Sequence, residues 1–233
     1  MPQPHERIRE DLSMRKIPIV ITAYCEGTGA DVKKQMVHKL CEKLSKSGHY
    51  ICLATHSPLS VEIQNFCDGY IYDSDNDFHI NGIPVEGRNH AIAEMKSIHN
   101  ALNYLDRFGF TEFFKLTFDC DPEIPYNTII ERAQDIVDNH GKEFVCSGWG
   151  NEKTLGALVF YSTFDFFRTI TSLDAPEKMK SCFEVNWFLV AEEKKVLDKV
   201  HMCHVRLYDD YLGYPMKDYA HQGGTELDHY PYQ

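Results

Sequence analysis

The run Ile17-Pro18-Ile19-Val20-Ile21-Thr22-Ala23-Tyr24 is short, apolar and rich in β-branched residues. Such a run marks a strand buried on both faces, as in a parallel sheet. Gly27 and Gly29 follow it, and Asp31 stands where a helix N-cap is expected. Val32, Met36, Leu40 and Leu44 then recur at helical spacing, and Gly48 suits the stop. Tyr50 to Thr55 reads as a second strand. Ser57-Pro58 reads as the opening of a short helix reaching Cys67, and Tyr70-Ile71-Tyr72-Asp73 as a third strand. The order β-α-β-α-β calls for a parallel sheet covered by helices on both faces, so the expected fold class is α/β.

The pattern continues downstream. Residues 74–88 form a polar stretch with a turn or hairpin around Asn81-Gly82. Ile92, Met95, Ile98, Leu102 and Leu105 hold one face of a helix that ends at Gly109. Phe113 to Phe118 is a further apolar strand and runs directly into Asp119-Cys120-Asp121-Pro122. A helix is expected over Asn127–Asn139, strands at Phe144–Cys146 and Gly156–Tyr161 flanking a loop with Trp149, and helices over 163–172 and 176–198. The organisation read from this is a polar N-terminal tail (1–16), one α/β domain (17–207) and a C-terminal tail or flap (208–233) rich in Tyr, Asp, His and Gly.

Composition narrows the function. The 233 residues carry 35 acids against 24 bases, a formal charge of −11, which argues against a nucleic-acid binder working by counterion release. A hydrophobic content of 43% is ordinary for a folded domain and argues against disorder. No stretch of 18 apolar residues occurs, so no membrane span is expected. Met1 to Lys16 lacks an apolar core, so no secretory signal is expected either. The eight cysteines are scattered with no C-x-x-C pair and read as reduced core residues, which points to the cytoplasm.

Asp119-Cys120-Asp121 is the most informative motif. At the C-terminal end of a strand the two carboxylates meet over the sheet edge, where open α/β folds bind ligands. Close carboxylates repel unless a cation separates them, and a hard ion such as Mg2+ or Mn2+ takes oxygen ligands and bridges phosphates. The competing reading is a D-x-D-P turn whose aspartates cap the following helix. Lys115, inside a buried run, wants an anion partner, either a ligand phosphate or Asp119; alternatively its strand is an edge and the lysine faces water. Zinc is disfavoured, since Cys203-His204 has no second Cys/His pair at finger-like spacing. Glu26-Gly27-Thr28-Gly29 lacks the G-K-[ST] of a phosphate loop, and no G-x-S-x-G elbow is present.

With these elements in order, the chain resembles the GT-A fold of nucleotide-sugar glycosyltransferases. The phrases ITAYCEGTGADVKKQMVHKL, LATHSPLSVEIQNFCDGYIYDSDN and FFKLTFDCD are similar to compact glycosyltransferases encoded by large DNA viruses and phages. The resemblance covers residues 17–205 and implies a metal-dependent transfer of sugar from a nucleoside-diphosphate donor (UDP- or GDP-sugar) to a hydroxyl acceptor on a glycan or glycoprotein. It implies that Asp119, Asp121 and the late His204 hold Mn2+ or Mg2+. Thr22, Tyr24, Asp73 and Lys115 would contact the donor, and Trp149 the acceptor sugar. Glu184, in Cys182-Phe183-Glu184-Val185-Asn186-Trp187, matches the acidic-aromatic segment that carries the catalytic base in inverting relatives. It stands alone where that family commonly has a Glu-Asp pair, and a helix N-terminal acid explains it equally. Each other assignment also has a plain structural reading: a sheet-edge aromatic for Tyr24, a turn acid for Asp73 and a buried loop tryptophan for Trp149. The alternatives to glycosyl transfer are a sugar nucleotidyltransferase, against which the missing basic first loop speaks, or a non-catalytic nucleotide- or sugar-binding module.

Overall fold

Every residue of the first strand, β1 (Ile19–Ala23), is buried. That burial follows from its interior place in a seven-stranded sheet. The computed structural model describes residues 17–25, 27, 29–74, 79–80, 83–84, 90–118, 125–147, 155–171 and 183–203. In chain order these form β1, α1 (Ala30–Leu44), β2 (Ile51–Thr55), α2 (Val61–Gln64), β3 (Gly69–Tyr72), β4 (His79–Ile80), β5 (Ile83–Pro84), α3 (His90–Asp106) and β6 (Glu112–Thr117). They continue as α4 (Tyr126–His140), β7 (Phe144–Ser147), β8 (Val159–Thr163), α5 (Phe164–Ile170), α6 (Phe183–Glu193), a 3-10 turn at Leu197–Lys199 and β9 (Val200–Cys203).

The sheet order is β3-β2-β1-β6-β8-β7-β9, with β4 and β5 forming a separate antiparallel pair. β1 pairs in parallel with both β2 and β6, β2 with β3, and β7 with β9; only β8 runs antiparallel, between β6 and β7. The fold is therefore a Rossmann-like α/β domain with a mostly parallel sheet flanked by helices, as the sequence implied.

Strand alternation sorts the core into two layers. Ile19, Ile21 and Ala23 of β1 and Phe114 and Leu116 of β6 pack with α1 and α4 residues such as Val37, Leu40, Ile129 and Ala133. Val20 of β1 and Phe113 of β6 pack on the other side with Met95, Ile98, Leu102 and Leu105 of α3 and with α5 and α6. Thr22 and Lys115 share that second face by the same alternation.

Several boundaries differ from the sequence reading. The N-cap of α1 is Gly29, whose φ of 78° is a left-handed conformation that glycine takes without strain, so Asp31 falls inside the first turn. Pro58 does not open a helix. The hydroxyl of Ser60 accepts the Ile63 N–H and starts α2, which ends at Gln64. Among the described residues the late helices span Phe164–Ile170 and Phe183–Glu193, and the later strand is Val159–Thr163 rather than Gly156–Tyr161. β9 was not expected at all. The hairpin expected near Asn81-Gly82 is present as the β4–β5 pair.

Candidate functional site

The chain leaves β1 toward β2 and β3 on one side, then crosses to β6 on the other, so the topological switch point lies between β1 and β6. In open α/β sheets the ligand crevice forms outside the carboxyl ends of the strands at that point. A cleft of about 320 Å3 lies there, lined by Thr22, Ala23 and Tyr24 after β1, His56 after β2, Ala93, Glu94 and Ser97 of α3, and Thr117 and Phe118 at the end of β6. A hollow of about 430 Å3 between α1 and α2, lined by Lys34, Gln35, His38, Lys39 and Ile63, is larger. It gathers no strand ends and no buried polar group, so the switch-point cleft is the better candidate.

The cleft floor is polar and tightly bonded. Lys115, fully buried on β6, forms an ion pair with Glu94 of α3, and its Nζ donates to the Ala157 carbonyl at 2.6 Å. The face of the Phe160 ring lies 6.0 Å from the same ammonium. The Thr22 hydroxyl donates to Glu94 Oε1 at 2.8 Å. Beside this pair, His56 Nδ1 lies 3.1 Å from the Asp73 carbonyl. Its Nε2 lies 2.7 Å from both the Ala93 carbonyl and the Ser97 hydroxyl. These bonds tie the ends of β2 and β3 to α3. At the rim, the Lys33 ammonium sits 5.4 Å from the centre of the Tyr24 ring.

Of the residues expected from sequence, Thr22 and Tyr24 line the cleft. Asp73 follows β3, where its Oδ2 accepts a 2.9 Å bond from Asn100 Nδ2 of α3. Lys115 is central, not on an edge strand, and among the described residues its anion partner is Glu94. Glu184 lies in the first turn of α6, and its carbonyl accepts from the Leu155 N–H at 3.1 Å, close in sequence to the Ala157 carbonyl that Lys115 uses. It does not line the cleft.

Asp119, Asp121, Trp149 and His204 lie outside the described residues. Their chain neighbours are informative. β1, β2, β3, β6, β7 and β9 all run the same way, so Tyr24, His56, Asp73, Phe118, Ser147 and Cys203 all leave the sheet at one edge. Phe118 precedes Asp119 directly, Ser147 comes two residues before Trp149, and Cys203 precedes His204. β9 is three strand spacings from β6, about 14 Å at the usual 4.8 Å per strand.

The sequence reading missed Glu94. It sits one residue before Met95 of the α3 apolar stripe, and a lysine inside a buried strand was the signal that some such acid had to exist.

Six cysteines among the described residues, Cys25, Cys41, Cys52, Cys67, Cys146 and Cys203, are free. Burial pushes the Cys25 thiol up against the lowering pull of Lys33 and Lys34, and pushes Cys203 to about 12. Both are held as thiols, which suits packing rather than nucleophilic or thiolate chemistry. Among the described residues no group of three or more His, Cys, Asp or Glu is placed to hold a metal ion. Nor is any helix among them long and apolar enough to cross a membrane.

No protein-family model matches the chain, and no curated protein matches it. Among solved structures it is similar to a cytidylyltransferase from Leptospira borgpetersenii serovar Hardjo-bovis (strain JB197), with 13% identity, a TM-score of 0.47, and coverage of 94% of this chain and 98% of that one. A likeness that remote identifies neither a family nor a reaction.

Proposed function

We propose that the chain is a transferase of nucleotide-activated sugar, moving the sugar from a nucleoside-diphosphate donor to a hydroxyl acceptor. The observation that carries this reading is the switch-point cleft, whose β6 wall ends at Phe118 one residue before Asp119-Cys120-Asp121. The floor and rim would hold the nucleoside, with Tyr24 offering a ring face and Thr22 a hydroxyl next to Glu94. The volume of about 320 Å3 is near the small end of ligand pockets, roughly 300–1,000 Å3, and suits a nucleoside better than a whole nucleotide-sugar.

The diphosphate would then lie toward Asp119 and Asp121. Their all-oxygen donor set suits Mn2+ or Mg2+, which when bound offsets charge on the leaving diphosphate. His204 joins that ion only if the chain beyond Cys203 returns across the sheet edge toward β6. Glu184 is the proposed base for the acceptor hydroxyl, and Trp149 the proposed stacking face for the acceptor sugar.

Nucleotidyl transfer uses the same kind of cleft but breaks a different bond. Incubation with UDP- and GDP-sugars and Mn2+ should release nucleoside diphosphate. Asp121→Ala should lower that turnover by more than about a hundredfold, the equivalent of a few kcal/mol of lost charge stabilisation. Pyrophosphate release from nucleoside triphosphate and sugar 1-phosphate would instead establish the nucleotidyltransferase. Turnover of neither, with nucleotide binding intact, would leave a binding module.

A further inference from the structure

Glu94 is an acid that the transfer chemistry above does not use, and its surroundings are unusual. Two donors meet it, the Lys115 ammonium and the Thr22 hydroxyl, and both fall on Oε1. Among the described residues no donor meets Oε2. The pair is also lopsided: the Lys115 side chain is 0% exposed while that of Glu94 is 23% exposed, and Glu94 lines the cleft. A buried ion pair is seldom a better core than apolar side chains of the same volume, so stability alone does not account for it. An acid that lines a ligand cleft, with one carboxylate oxygen fixed by two donors and no donor among the described residues on the other, is what a recognition group requires.

From this geometry we infer that Glu94 is a ligand-binding residue, whose Oε2 accepts a hydrogen bond from a neutral O–H or N–H donor on the nucleoside. This rests on the nucleotide reading above. The donor is neutral by charge logic: Lys115 already balances the carboxylate, and a phosphate oxygen beside Oε2 would be repelled. The phosphates belong toward the end of β6. Two nucleoside groups carry this chemistry, the ribose hydroxyls and the N–H edge of the base.

Glu94→Gln alone strands the Lys115 charge in the core and risks unfolding the chain. The test is therefore the double variant Glu94→Gln, Lys115→Met, which removes both charges and keeps both volumes. Its fold is checked by circular dichroism and thermal unfolding. UDP and GDP are titrated calorimetrically in the presence of Mn2+. The folded double variant should bind the preferred nucleotide about 10- to 100-fold more weakly than wild type, the usual range for losing a hydrogen bond to a charged group.

The 2′- and 3′-deoxynucleotides separate the donor sources. If the donor is a ribose hydroxyl, wild type loses affinity for the ligand lacking it and the double variant does not distinguish that ligand from its parent. If the donor is the base, removing either hydroxyl costs both proteins equally, and methylating the base N–H reproduces the loss instead. A folded double variant that binds within about twofold of wild type overturns the role of Glu94 while leaving the function reading in place. Failure of wild type to bind any nucleotide overturns both.

Discussion

Phe113 and Lys115 sit two residues apart on β6 and project from the same face of the sheet, into opposite surroundings. Phe113 enters an aromatic cluster, with ring centroids of Phe160, Phe164 and Phe167 at 5.6, 5.8 and 5.4 Å. Trp187 closes that cluster over Phe160 and Phe167, and its indole N–H is 3.4 Å from Met95 Sδ. Lys115, two residues nearer the strand's end, enters a polar knot of Glu94, Thr22 and the Ala157 carbonyl. Phe160 touches both regions. The two halves therefore do different work. The aromatic half holds the sheet to α3, α5 and α6 by burial and shape. The polar half loses stability to desolvation, and what it provides in return is a fixed carboxylate at the cleft.

The largest effect should come from removing the apolar anchor. Trp187→Ala should cost about 3–5 kcal/mol by urea denaturation, with nucleotide preference unchanged in the surviving folded protein. A shift in preference would mean the two regions are not separable. Next come the two single truncations of the ion pair. Glu94→Gln should cost about 3–5 kcal/mol because it leaves a buried ammonium unpaired. Lys115→Met should cost less than about 1.5 kcal/mol, because its partner retains solvent access through the cleft. Equal costs would contradict the asymmetry on which the polar half is read.

Smaller effects probe the edges of the aromatic half. The Thr163 hydroxyl accepts the Phe166 N–H at 3.2 Å and caps α5, so Thr163→Ala should cost about 1 kcal/mol. His99 of α3 lies against Phe167, and burial lowers its pKa from the ordinary 6.5. The unfolded chain then binds a proton more readily than the folded one, so stability should fall as pH drops from about 6.5 toward the lower folded value. Denaturation midpoints at pH 7.5 and 5.5 check this. His99→Gln, which retains a donor for Thr171, should flatten that part of the slope.

Much of the aromatic half and most of the sheet were legible in the sequence. β1, β2, β3 and β6 are short runs with turn signals on both sides, and the α3 stripe of Met95, Ile98, Leu102 and Leu105 repeats at helical spacing. What escaped reading depended on contacts distant in sequence. β9 is an edge strand of four residues, Val-His-Met-Cys, and only its pairing with β7 gives it an identity. Lys115 announced that it had a partner but not which one, because strand periodicity says nothing about the helix laid across it. Gly29 took the cap expected of Asp31 because its left-handed backbone begins the helix two residues sooner.

With a formal charge of −11, the chain should need a cation to hold an anionic ligand. If Asp119 and Asp121 recruit a cation that in turn recruits a diphosphate, nucleotide binding must depend on that cation. Titration of UDP and GDP into the full chain, with and without Mn2+, should show one nucleotide binding at least about tenfold more tightly with the ion. Asp121→Ala should bind it only as weakly as the metal-free protein. Binding that ignores both Mn2+ and Asp121→Ala, or no binding of either nucleotide with the ion present, would contradict the account.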